Sequence, residues 1–73
     1  MTSNQIVRIM AHMGYAHAKE KSYRGCQVFY NKDEGMRSFS SWFDCESWMR
    51  SHYRFDEAKY RAMREAKEMR KKK

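Results

Sequence analysis

The chain has 73 residues, with 16 Lys and Arg against 9 Asp and Glu and a formal charge of +7. A chain of this length makes one domain at most and buries only ~60% of the surface its unfolded form exposes, which leaves no room for an elaborate enclosed active site. The positive balance favours an anionic partner: nucleic acid, a membrane surface or an acidic protein.

The charge is uneven. Residues 1–31 carry four bases and one acid, residues 32–55 four of each, and residues 56–73 eight bases and four acids. With no Pro and three Gly, the glycines supply most of the punctuation. The first segment, "SNQIVRIMAHMG", places Ile6, Ile9, Met10 and Met13 at helical spacing, with Val7 widening the stripe. Ser3 or Asn4 suits the N-cap. The spacing predicts a helix over 4–13; Gly14 either ends it or interrupts a further turn or two through "GYAHAKEK".

From Gly25 the pattern changes. In "GCQVFY", Cys26, Val28 and Tyr30 alternate with Gln27 and Phe29, and the composition is β-branched and aromatic. "NKDEG" turns the chain, and Phe39 and its neighbours resume the extended pattern, predicting a hairpin near 25–42 with a loop of four to five residues. An isolated hairpin is marginal in water and needs a helix on one face. "DCESWMRSHYRF" supplies it: Asp44 suits the N-cap, and Cys45, Trp48, Met49 and His52 share one face of a helix over 45–53. The last segment, "DEAKYRAMREAKEMRKKK", is rich in helix formers. Asp56 is placed to cap it, and its apolar stripe of Ala58, Ala62, Ala66 and Met69 is thin, so its outer half should fray.

The expected fold is therefore a small single α+β domain with an N-terminal helix, a β-hairpin, one packed helix and a basic C-terminal helix fraying into a mobile tail. Residues 1–63 form the compact domain and 64–73 the basic helix end and tail. Phe29 or Val28, Phe39, Phe43 and Trp48 are the expected core rings, because a small domain spends its large side chains inside.

Chemistry-bearing groups are few. His12, His17, Cys26 and Cys45 are zinc-type ligands, but the cysteines lack the close paired spacing of structural sites. Cys45 near a helix start is the one candidate nucleophile, yet nothing marks an oxyanion hole, a phosphate loop or an apolar carboxylate pair. The chain reads as a binder rather than an enzyme, with no metal and no cofactor. The opening lacks a signal peptide's basic region and long apolar run, and no stretch is long enough to span a membrane. A reducing cytoplasm, two free thiols and a monomer are expected.

Basic residues interleaved with aromatics are the strongest functional signal: Tyr23, Arg24, Tyr30, Arg37, Trp42 and Arg54 lie on or beside the hairpin. Aromatic rings on an open sheet can stack single-stranded bases. The competing reading is that these rings are core. The terminal bases Arg64, Lys67, Arg70, Lys71, Lys72 and Lys73 add non-specific attraction to anything anionic, without sequence specificity. The folded part is left to choose the partner.

In its size, its basic balance and its opening "MTSNQIVRIMAHMGYAHAKE", the chain resembles the small RNA-polymerase-binding transcription regulators of lytic Xanthomonas phages. The resemblance implies a protein of the host bacterial cytoplasm that binds host RNA polymerase, principally through the N-terminal part of the β′ subunit. It would inhibit initiation at host promoters by interfering with the σ-containing holoenzyme, and let elongating polymerase read through intrinsic terminators. No residue pattern carries binding residues across from that family. From the residues alone, the candidate partner contacts are Arg8, Tyr15, Arg24, Tyr30 and Arg37, with the six terminal bases acting electrostatically. A free-standing single-strand nucleic-acid binder is the alternative.

Overall fold

A computed structural model describes the backbone over residues 1–71 and the side chains over residues 1–68. The order is helix α1 (Ser3–His12), strand β1 (Ala16–His17), a 3-10 turn (Lys19–Lys21), strands β2 (Gln27–Asn31) and β3 (Gly35–Phe39), helix α2 (Trp42–Arg50) and helix α3 (Phe55–Lys71). The strands form one antiparallel sheet in the order β1-β2-β3. A small α+β domain with an N-terminal helix, a hairpin and C-terminal helices is thus present.

α1 starts one residue before the expected cap. Thr2, rather than Ser3 or Asn4, accepts from the Gln5 backbone at 3.2 Å, and the Gln5 side chain accepts from the Thr2 backbone at 2.8 Å. This reciprocal box satisfies two otherwise orphaned donors. Gly14 does end the helix: with φ +97° it lets the Tyr15 N–H reach the Met10 carbonyl at 2.8 Å and its own N–H reach Ala11 at 3.1 Å. That paired closure needs a left-handed residue, which glycine supplies without a Cβ penalty.

The chain then enters β1, which periodicity did not predict because two residues cannot display an alternation. Ala16 pairs with Tyr30 and His17 with Phe29. The hairpin loop is shorter than expected, three residues (32–34), because Asn31 and Gly35 themselves pair in the ladder. The Asn31 side chain holds it shut, accepting from the backbones of Asp33 and Glu34 at 2.8 Å each, while Gly35 turns at φ +82°.

α2 begins at Trp42, three residues before the expected start, and Ser41 caps it by accepting from the Asp44 backbone at 3.1 Å. Asp44 is therefore in the first turn, not at the cap. The shift moves Trp42 out of the hairpin and turns Phe43 to solvent, 70% exposed. Phe43 is two positions from the buried Cys45, about 200° around the helix, so its assignment to the core is corrected. Asp56 likewise lies in the first turn of α3 rather than capping it.

The core joins Ile6, Ile9, Met10 and Met13 of α1 to Tyr15, Phe29, Phe39, Cys45, Met49, Phe55, Ala58 and Ala62. Of the two alternatives on β2, Phe29 is the buried one. Burying such a ring contributes ~1.5–3 kcal/mol. Trp48 is half-buried and packs on this core, 5.2 Å from Tyr15 and 5.5 Å from Phe39 between ring centroids. α3 lies antiparallel along α1, and the small Ala58 and Ala62 let the two helices approach. Midway along α3, Glu65 takes Arg8 at 3.1 Å and His12 at 3.3 Å.

Candidate interaction surface

Strand register sorts the sheet residues onto two faces. His17, Gln27, Phe29, Arg37 and Phe39 face the helices; Ala16, Val28, Tyr30, Met36 and Ser38 face away. Ala16, Tyr30 and Met36 stand side by side across the three strands, with Tyr30 48% and Met36 50% exposed. Below them, Tyr23 and Cys26 bridge through a two-residue turn in which Gly25 has φ +81°. Tyr23 is exposed, and its contact with the Cys26 thiol raises its pKa above the ordinary phenol value. Among the described residues these side chains make an open strip of two tyrosines, a methionine and a valine, without a charged residue within it.

The sequence-predicted contacts do not form one site. Tyr30 lies on the outer face, and Arg24 sits exposed at the tip of the Tyr23–Cys26 turn. Tyr15 is in the core, 2% exposed, so its assignment as a partner contact is corrected. Its hydroxyl donates to Glu34 at the hairpin tip, and burial, followed by that contact, raises its pKa. Arg37 points inward, donating to Glu34 at 2.9 Å and lying 4.7 Å over the Trp48 ring. Arg8 lies on α1, engaged with Glu65. On α3, Arg64 approaches Glu68 at 3.7 Å and Lys67 is exposed. The side chains of Arg70 and Lys71, and all of Lys72 and Lys73, lie outside the described residues.

Val28 and Met36 were missed as surface residues. The alternation that placed Tyr30 outward also holds Val28 there, and Met36 follows from its pairing with Tyr30 once the loop length is known.

The metal-type side chains are spent elsewhere. His12 contacts Glu65, His17 bonds Gln27 at 3.1 Å and Ser22 at 3.3 Å, and Cys45 is fully buried. Burial, helped by the nearby Glu46, pushes the Cys45 thiol up to about 12. A nucleophile needs the thiolate, so proximity to a helix start does not activate this cysteine. Among the described residues no helix is long and apolar enough to cross a membrane.

Comparison with known families, characterised proteins and solved structures finds no match for this chain.

Proposed function

We propose that the chain is a phage transcription regulator that docks on host bacterial RNA polymerase in the host cytoplasm, inhibiting initiation at host promoters and promoting read-through of intrinsic terminators. The identity of the target comes from the resemblance of the whole chain, in its size, its basic balance and its opening residues. The observation that carries a docking role is the open outer face of the sheet, where Tyr30 and Met36 stand about half-exposed. Tyrosine is favoured at interface centres because it combines a large apolar ring with a hydrogen-bonding tip. A standard interface needs ~800 Å² from each partner, which a domain of this size can offer. The net charge of +7 speeds encounter with an enzyme that carries DNA and RNA, through attraction to their phosphates.

The test is recovery of purified bacterial polymerase on the tagged protein after nuclease treatment, with a promoter and terminator assay alongside. Wild type should retain polymerase and inhibit initiation. Tyr30→Glu with Met36→Lys, an opposite-charge pair at facing positions, should weaken binding at least about tenfold, with its circular dichroism unchanged. Failure of the wild type to retain polymerase would sink the target assignment. Retention unchanged in the double variant would sink the face.

The exposed pair Tyr23 and Tyr30 on an open sheet supports a second reading, stacking of single-stranded bases. Under that reading, a fluorescent oligonucleotide binds at physiological salt without polymerase, and Tyr30→Ala weakens it.

A further inference from the structure

A second apolar surface lies away from the sheet. Because α1 and α3 run antiparallel, the start of α1 faces the later turns of α3. Between them is a groove of about 520 Å³ whose apolar lining is Met1, Met63 and Ala66 over the buried Ile9 and Ala62, with Asn4, Gln5, Arg8 and Lys67 as its polar members. Met1 and Met63 are 43% and 54% exposed there. Among the described residues no carboxylate lines the groove. The nearby Glu65 is engaged by Arg8 and His12, and Lys67 has no carboxylate partner among the described residues. The amino-terminal end of α1 adds the positive end of a helix dipole at the same end of the groove.

We propose that this groove is a docking site for an amphipathic helix of a partner protein, one that carries acidic residues along its flanks. The shape selects a helix. Two packed helices with alanines between them leave the valley that a third helix fills, and its α1 side runs from Asn4 to Ile9, about 8 Å, enough for a pair of anchors at i and i+3 or i+4. The charge selects the acidic flank. The Arg8 charge is already met by Glu65, so Lys67 and the amino end of α1 leave this end of the groove positive; carboxylates beside the anchors meet complementary charge there, while lysines would be repelled. The same charge disfavours a second copy of this chain, since both partners would carry +7. The proposal is independent of the polymerase reading and of the sheet face.

The experiment uses the full chain, labelled with nitrogen-15, and a synthetic sixteen-residue amphipathic peptide with leucines at i, i+3, i+4 and i+7 and glutamates beside them. The control peptide has lysines in place of the glutamates. Saturable shifts are expected at the amides of Ile9, Met63, Ala66 and Lys67, with Tyr30 and Met36 unmoved. Lys67→Glu and Met63→Glu each alter an exposed position, so both should fold, and each should weaken the glutamate peptide about tenfold. Equal affinity for the two peptides, or shifts centred on the sheet face, would overturn the proposal. So would binding to phosphatidylglycerol vesicles with none to either peptide, which would make the groove a lipid contact.

Discussion

Glu34 joins parts of the chain that are distant in sequence. One oxygen accepts from the Tyr15 hydroxyl, the other from Arg37, and the Arg37 guanidinium covers Trp48. The hydrogen bond from Tyr15, then that from Arg37, holds the Glu34 pKa below the ordinary glutamate value of 4.5. A depressed carboxylate contributes stability above its unfolded value, and the contribution disappears as pH falls through the lower folded value. Glu34→Gln should therefore be less stable than wild type at neutral pH, and the gap in urea midpoint should narrow progressively as pH falls below 4.5. Tyr15 acts at the other extreme: its raised pKa contributes below the ordinary phenol value of 10.0 and is lost as pH rises through the folded value. Two rings of α2 give a paired prediction. Trp48→Ala removes the contacts to Tyr15, Phe39 and Arg37 and should cost ~3 kcal/mol, the lower end for such truncations because the ring is only half-buried. Phe43→Ala should change stability by less than about 0.5 kcal/mol. Chemical denaturation of both variants checks the pair; equal losses would contradict the placement of the two rings. Sequence alone could not separate them, because both are large aromatics in one segment and the helix phase depends on where the helix begins.

At the level of elements, that starting point turned on a choice between two good caps. Ser41 and Asp44 are both cap formers three positions apart, and the serine wins because β3 stops at Phe39, leaving Ser40 and Ser41 as the connection. Ser41→Ala should cost ~1 kcal/mol, measured as a lower urea midpoint with an unchanged slope. No loss would mean that the helix re-caps elsewhere. α1 and the hairpin were legible because their signals are redundant: a four-residue apolar stripe closed by Gly14, and an alternation closed by Asn31 and Gly35. β1 was not, since its conformation is imposed by pairing with β2. The candidate surface was half legible for the same reason. Tyr30 follows from alternation within its own strand. Arg37 does not: an arginine facing inward is stable here only because Glu34 and Trp48, from outside its strand, receive its charge and its plane.

For the molecule as a whole, charge and fold separate along the chain. Deleting residues 70–73 lowers the net charge from +7 to +3 and removes almost no apolar side chain. The truncated protein should keep its circular dichroism and its choice of partner, while its association rate falls and depends less on salt. Binding kinetics over a salt series measures this, and loss of all activity at every salt concentration with the fold retained would place the active element in the tail. The clasp between the first and last helices has a consequence during synthesis. Arg8 and Glu65 are 57 positions apart. At translation rates of about 5–20 residues per second, Arg8 is added to the chain on the order of 3–11 s before Glu65, so α1 is made well before the segment that covers one of its sides. The sheet and α2 can shelter the rest of the helix sooner. Until α3 is made, the nascent chain carries an apolar strip, including Ile9, that chaperones can recognise.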